Sequence, residues 1–371
     1  MKTLKTLSLF LFIILSSSCG DESTGTPVAT SENLTPLMYP PADLSKVAFI
    51  EPMGRMGGNH VTPTDHQYFC SFDFDTGKAL EINVYSPASG TITSIQHMGS
   101  WNQSMDDYRL VVKHSQDISS VYIHIDKLSD KIAAYAPAES GYVNVDIPVS
   151  AGEILGNYSG TLDYNVVDLS VTLTGFVLPE SYTHEEWKIH CPDPFDYFKE
   201  TVKSQLVAKC LRTAAPVGGR IDHDVDGRLV GSWFLEGTNG YAGIDQNNYF
   251  VGHIAIAYNN IDPEHIIVSF GDYDGEPQQF GVRGNSPDPA TVDMSTDLVE
   301  YEFVHYDFYD GDLHWDRETL VKGLDVRNYS FVQGVVLFQL IDERRLKVEL
   351  FPGMEASEVD GFTANARIYV R

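Results

Sequence analysis

Histidine and aspartate residues in the first half of the chain have the chemistry of a metal-binding or proton-transfer site. His60, Asp65 and His66 lie within one polar stretch, and His124 lies in an alternating apolar run. Imidazole and carboxylate groups bind divalent metals, and imidazole transfers protons near neutral pH. The same residues also suit a polar loop whose side chains hydrogen-bond backbone amides. Both interpretations stay open at this stage.

The order of these residues resembles that of the lysostaphin-type (LytM-like) zinc endopeptidases, whose fold is called the duplicated hybrid motif. The resemblance covers roughly residues 50–172. It implies a β domain that once had, or still has, a zinc-dependent peptidase site. The matching positions are His60, Asp65, the Pro87–Ile92 turn, the Tyr122–Ile125 strand and the Val149–Gly156 turn.

The resemblance implies a zinc site formed by His60, Asp65 and Asp168, with His66 as a substitute nitrogen ligand. One nitrogen and two oxygens make a harder and weaker ligand set than the family uses, and zinc prefers nitrogen and sulfur ligands. Zinc is therefore an expectation that follows from the resemblance alone.

The resemblance also implies that one catalytic position has been lost. His124 matches one of the two catalytic histidines of the family, whereas the other falls on Val166, which cannot transfer a proton. The sequence therefore favours a degenerate, non-catalytic domain that binds or scaffolds at the cell wall, with peptidoglycan or a peptide as partner. A divergent metal-dependent peptidoglycan endopeptidase that uses His124 is the alternative.

The N-terminus has the features of an export signal. Two lysines precede the apolar run Leu7–Leu15, which is too short to span a bilayer as a helix. Small residues follow and lead into Cys19, as at a bacterial lipoprotein cleavage site. We therefore expect an exported protein, anchored to the envelope membrane by a lipid on Cys19. Residues 1–19 would be the signal peptide and residues 20–45 a flexible tether.

Charge and cysteine content limit the partners and the covalent links. The formal net charge of −27 argues against nucleic acid as a partner, because phosphates need lysine and arginine to neutralise them. Export permits disulfides. Cys191 and Cys210 flank a helical stretch and are a candidate pair, which leaves Cys70 without a partner.

The elements that must position these residues are mainly β. Alternating apolar runs predict strands throughout residues 46–176, the peptidase-like domain. Residues 177–213 form a helical connector, in which the apolar spacing predicts one amphipathic helix over residues 193–212. Residues 214–371 return to strand patterns and predict an antiparallel barrel or sandwich.

The second β region opens with Gly231-Ser232-Trp233, which resembles the Gly-x-Trp opening of lipocalin-like barrels. This resemblance implies a further alternative, in which residues 214–371 bind a small molecule. The stretches Gly58–Phe69 and Gly218–Phe234 together resemble exported microbial proteins that combine the same two domains.

Overall fold

The structure is a computed structural model that describes residues 36–71, 81–101 and 105–371. The predicted signal peptide, the lipidation of Cys19 and residues 20–35 of the predicted tether lie outside the described residues. Among the residues that are described, no helix is long and apolar enough to cross a membrane.

Residues 36–45, for which the sequence predicts a flexible tether, pack against the rest of the compact unit. Leu37 and Ala42 are buried, and the Leu37 amide donates a hydrogen bond of 2.9 Å to the Tyr197 carbonyl. This stretch packs because its apolar side chains are stabilised when they are removed from water. Residues 36–45 therefore belong to the folded body.

The first half of the described chain is built from short antiparallel strands. Its elements are β1 (Val47–Glu51), β2 (Gln67–Ser71), β3 (Ile82–Tyr85), β4 (Gly90–Trp101), β5 (Met105–Lys113), β6 (Ile118–Ile125), β7 (Lys127–Leu128), α1 (Asp130–Ala133), β8 (Gly141–Val149), β9 (Ile154–Tyr158) and β10 (Thr161–Asp168).

These strands form two sheets. The larger sheet has the order β1-β2-β10-β6-β5-β4-β8, and β3-β9-β7 form a small second sheet. The order brings β2, β10, β6 and β5 side by side, although they are distant in sequence. Asp163 on β10 lies directly opposite Ile123 on β6, so the two side chains project from the same face.

Residues 193–212 of the connector, for which the sequence predicts one helix, form two separate elements. A 3-10 turn spans Pro194–Tyr197 and is capped by Asp193, whose side chain accepts a hydrogen bond from the Phe195 amide. Phe198 is extended, and α2 then spans Glu200–Lys209. The apolar pattern marks the buried face correctly, but the chain bends between the two elements. Further 3-10 turns span Pro179–Tyr182 and Glu186–His190.

Eight of the remaining nine strands in the described part of the chain form a closed antiparallel barrel. This confirms the predicted mainly β fold with a C-terminal barrel. The elements of this region are β11 (Gly231–Leu235), β12 (His253–Tyr258), β13 (Ile266–Tyr273), β14 (Glu276–Val282), β15 (Val299–Asp310), β16 (Leu313–His314), β17 (Asp325–Asp342), β18 (Arg345–Pro352) and β19 (Arg367–Val370), with 3-10 turns at Gly240–Ala242, Gln246–Gly252, Arg283–Asn285 and Ala356–Glu358.

Large side chains fill the barrel interior. The pairing of β14 with β15 closes the ring, and β16 extends one edge outside it. Because inward-facing residues alternate along each strand, the bulky members of the sequence pattern meet at the centre. The buried side chains of this interior include Trp233, Phe270, Phe280, Tyr301, Phe303 and Phe338.

One end of the barrel is plugged by Arg371. Its guanidinium stacks over the Trp233 ring at 4.0 Å from the ring centroid, and it donates hydrogen bonds to the Val230 and Val225 carbonyls at 2.6 and 2.7 Å. Asp224 Oδ1 lies 3.9 Å away, and burial raises the pKa of Asp224 to about 6 although Arg371 opposes this.

Two apolar clusters join the larger sheet to the barrel, and residues 36–371 form one compact unit. In one cluster, Val121 and Val167 of the sheet pack with Phe234 and Tyr241 of the barrel half. The second cluster combines residues of β1 and β2 with Phe308 and its neighbours. Each half therefore buries part of its apolar surface on the other.

Candidate functional site

Five side chains form a continuous series of ion pairs. Three of them are on the larger sheet, and the other two belong to the segment just before β2. His66 Nδ1 lies 3.0 Å from Asp65 Oδ1, and its Nε2 lies 3.2 Å from Asp163 Oδ2. His124 Nε2 lies 3.4 Å from the same Asp163 oxygen, and its Nδ1 lies 3.1 Å from Asp107 Oδ2. We call this series, Asp65–His66–Asp163–His124–Asp107, the histidine–aspartate chain.

Neighbouring strands and one unusual backbone angle assemble this chain. Alternation along β6 would place His124 on the face opposite Ile123 and Asp163. His124, however, has φ of 70°, a left-handed conformation that costs on the order of 1 kcal/mol or more for a non-glycine residue. The pairing of β5 with β6 also shifts register between Tyr108 and Leu110. These two irregularities turn the His124 ring towards Asp163.

The carboxylates favour the protonated form of both histidines. Burial lowers the pKa of His124, but hydrogen bonds to Asp107 and Asp163 outweigh it and raise the pKa to about 10. Burial likewise opposes protonation of His66, and the charges of Asp163 and Asp65 raise its pKa. His124 is therefore protonated at neutral pH, and the neighbouring carboxylates favour the charged form of His66.

This arrangement does not fit a zinc ion. A histidine ligand must offer a neutral ring nitrogen to the metal. Both nitrogens of His66 and of His124 instead face carboxylate oxygens within 3.4 Å. Across the residues that the structure describes, no group of three or more His, Cys, Asp or Glu side chains is placed to hold a metal ion.

The predicted ligands Asp168 and His60 do not join the chain. Asp168 is buried elsewhere, where it accepts hydrogen bonds from the Tyr197 hydroxyl at 2.7 Å and from the Ser170 hydroxyl at 2.6 Å. The ring of His60 lies 5.6 Å from that of His66, and burial together with the His66 charge lowers the pKa of His60 to about 4. The predicted set of His60, Asp65, Asp168 and His66 is thus only partly brought together.

The predicted Cys191–Cys210 disulfide is absent, since both residues are buried free thiols, as is Cys70. Cys191 Sγ donates to the Trp187 carbonyl at 3.2 Å, and Cys210 Sγ donates to the Val217 carbonyl at 3.2 Å. The two thiols point to carbonyl groups on either side of the predicted helix, Trp187 before it and Val217 after it. This geometry explains why the pairing suggested by the flanking helix does not occur.

A cavity of about 150 Å³ lies beside the histidine–aspartate chain. We call it the Lys188 cavity. The sheet contributes Arg109 and Asn165, the connector contributes Trp187 and Lys188, and the segment between β11 and β12 covers it with tyrosines. Its polar and aromatic lining residues are His60, Asp65, His66, Arg109, Asn165, Glu185, Trp187, Lys188, Tyr241 and Tyr249.

A larger crevice of about 430 Å³ lies between the sheet and the barrel. Its two guanidinium groups already have carboxylate partners, since Arg55 Nη1 lies 3.2 Å from Glu51 Oε2 and Arg317 Nη2 lies 2.8 Å from Asp307 Oδ1. This crevice is therefore electrostatically satisfied without a ligand. Its aromatic lining residues are Phe49, Tyr68, Tyr306, Phe308 and Trp315.

Sequence reasoning missed Asp107, Asp163 and Lys188. Asp163 lies between buried Leu162 and Tyr164 on β10. A carboxylate within such an apolar strand indicates a buried charge that has a partner. Lys188 gave no such signal, because it lies in a stretch of charged residues that reads as solvent-exposed. Comparison with protein-family models finds no match, and comparison with curated proteins finds none either.

Proposed function

We propose that this protein is a non-catalytic binding or scaffold protein of the cell envelope, whose first β domain keeps the shape of a lysostaphin-type peptidase. The observation that carries the proposal is the histidine–aspartate chain. His66 and His124 are each held between two carboxylates. A protonated, doubly paired imidazole can act neither as a zinc ligand nor as a general base.

The covering of the cavity supports the same conclusion. A peptidase must admit an extended peptide to its reacting groups. Here Trp187 Nε1 donates to Asp65 Oδ2 at 3.0 Å, and Tyr241 packs over Lys188 with the ammonium 5.3 Å from the ring centroid. The connector and the barrel thus occupy space that a cleavable substrate would need. A small terminal group can still be accommodated in about 150 Å³.

The envelope location and the partner class are parts of the proposal that rest on the sequence. The export signal and Cys19 favour a lipid-anchored protein, and the peptidase resemblance favours peptidoglycan or a peptide as partner. The small-molecule carrier alternative has less support. Buried aromatic side chains such as Trp233, Phe280 and Phe303 fill the barrel interior where a lipocalin-type ligand would sit.

The proposal is tested by incubating the purified full chain with peptidoglycan and with glycine-rich peptides, in the presence of added zinc or a chelator. We expect no cleavage in either condition and co-sedimentation with peptidoglycan. The variant His124→Ala should leave the absence of cleavage unchanged, as should the control His184→Ala at an exposed position. Zinc-dependent cleavage that is lost in His124→Ala alone would overturn the proposal.

A further inference from the structure

We propose that the Lys188 cavity binds the C-terminal carboxylate of a short peptide. This inference rests on the proposed binding function and names the chemical class of its ligand. It is carried by two cationic side chains that line the same small cavity and form no ion pair with any residue that the structure describes.

Lys188 is the first of these side chains. Lys188 is only 3 % exposed and lines the cavity, yet its Nζ donates no hydrogen bond to any residue that the structure describes. Its Nζ lies over the Tyr241 ring, 5.3 Å from the ring centroid. A buried ammonium without an acceptor is costly, because it has lost its water without gaining a partner. An anion in the cavity would supply that partner.

Arg109 is the second. Its guanidinium lies 5.6 Å from the centroid of the Trp187 ring, and within the described chain it forms neither an ion pair nor a hydrogen bond. Burial lowers the pKa of Arg109, and the charges of Asp65 and Glu185 act against that effect. A planar guanidinium offers paired donors that match a carboxylate.

The carboxylates of the cavity do not serve as these partners. Asp65 is engaged through both oxygens, which accept from His66 at 3.0 Å and from Trp187 at 3.0 Å. Burial raises the pKa of Glu185; the charge of Lys188 opposes this effect, and the negative charge of Asp65 adds to it. Both carboxylates influence Lys188 electrostatically, but neither forms an ion pair with it among the described residues.

The size and lining of the cavity select among anions. About 150 Å³ accommodates a carboxylate with a small attached side chain and not a whole peptide. The exposed Trp187 indole lies at the margin, where the rest of a peptide would continue into solvent. Asn165 and Tyr249 supply polar groups for the terminal amide. A divalent cation is disfavoured because Lys188 and Arg109 would repel it.

The test uses calorimetry on the full chain with N-acetyl-Ala-Ala as the free acid and as its C-terminal amide. We expect the acid to bind at least about tenfold more tightly than the amide, because only the acid forms charge-assisted hydrogen bonds. Lys188→Met and Arg109→Leu should each remove most of this preference. Lys199→Met, at an exposed lysine, is the matched control and should keep it.

A melting-temperature measurement distinguishes a ligand-binding lysine from a structural one. Lys188→Met removes an unpaired buried charge and should leave the melting temperature unchanged or raised, whereas a lysine needed for packing would lower it. Equal binding of acid and amide, or tighter binding of inorganic phosphate than of the acid, would overturn the inference. If either binding result is found without zinc-dependent cleavage, the carboxylate proposal fails while the proposed non-catalytic function stands. The failure of one proposal can therefore be distinguished from the failure of the other.

Discussion

His124 shows how the partners of a residue decide its chemistry. The same imidazole that could transfer protons in a peptidase is here held between Asp107 and Asp163. Because both carboxylates stabilise its positive charge, His124 contributes to stability as a cation. Its loss should therefore be visible in the pH dependence of folding rather than in catalysis.

We expect His124→Gln to be less stable than the wild type near neutral pH, with the difference shrinking at alkaline pH. The pKa of His124 is raised from 6.5 to about 10 in the folded protein, so its stabilisation is complete below pH 6.5 and is lost as the pH rises through about 10. Urea unfolding across this interval measures the difference. His184→Gln, at an exposed position, is the control; a pH-independent gap for His124→Gln would contradict the assignment.

The three described cysteines should behave as reduced, protected thiols. Burial raises the pKa of Cys70, Cys191 and Cys210, so none presents a reactive thiolate at neutral pH. We expect alkylation to be slow in the folded protein and complete after denaturation without reductant, as read by peptide mass spectrometry. Recovery of a cross-linked Cys191–Cys210 peptide would contradict this.

At the residue scale the sequence predicted part of the site. Asp65 and His124 are identified through the resemblance to lysostaphin-type peptidases, and His66 enters as a substitute ligand beside Asp65. Asp163 is missed because the resemblance directs attention to Val166 and Asp168, which lie three and five positions further along β10. Only the pairing of β10 with β6 fixes which of these residues faces His124.

At the element scale, strand patterns were easier to predict than boundaries. The alternation in residues 120–125 and the turn glycines identified β6 and its neighbours, because period-two burial is local information. The predicted helix over residues 193–212 was divided by extended Phe198. Its apolar spacing could not reveal the bend, since Phe195 and Leu206 are buried on either side of it.

Gly231 at the start of β11 offers a test of the barrel plug. It has φ of 124°, and a Cβ there would lie 2.2 Å from Asp224 Oδ1 and 2.6 Å from Arg371 Nη1. We expect Gly231→Ala to lower the free energy of unfolding by roughly 3 kcal/mol or more, since it adds a clash to backbone strain.

The matched control is Gly275→Ala, which has φ of 94° but no atom within 4 Å of the added Cβ. This variant should lose only the free energy of placing a non-glycine residue at a positive φ, on the order of 1 kcal/mol. Chemical denaturation of both variants gives the comparison. An equal decrease in the free energy of unfolding of the two variants would show that close contact with Asp224 and Arg371 does not limit the residue at position 231.

At the scale of the whole molecule, the sheet and the barrel depend on a shared interface. Phe234 of β11 lies 5.5 Å from Tyr182 of the connector and 5.0 Å from His253, measured between ring centroids. It also belongs to the cluster that contains Val121 and Val167 of the sheet. The two halves should therefore lose their structure together.

We expect one calorimetric transition for residues 36–371, and Phe234→Ala should destabilise that single transition by roughly 3–5 kcal/mol because it opens a cavity in the interface. Phe234 is 1 % exposed, whereas the control Phe331 is 76 % exposed, and Phe331→Ala should change little. Two separate transitions in the wild type would contradict this view.

The closure of the barrel has a consequence for how the chain acquires its structure. β11 pairs with β12 on one side and with β19 on the other, and Phe234 meets Val370 across more than a hundred residues. The ring cannot form until β19 has emerged from the ribosome. Until then β11 exposes an open strand edge, which is prone to pairing with other chains. Folding is therefore expected to be slow, and to need protection from aggregation during synthesis.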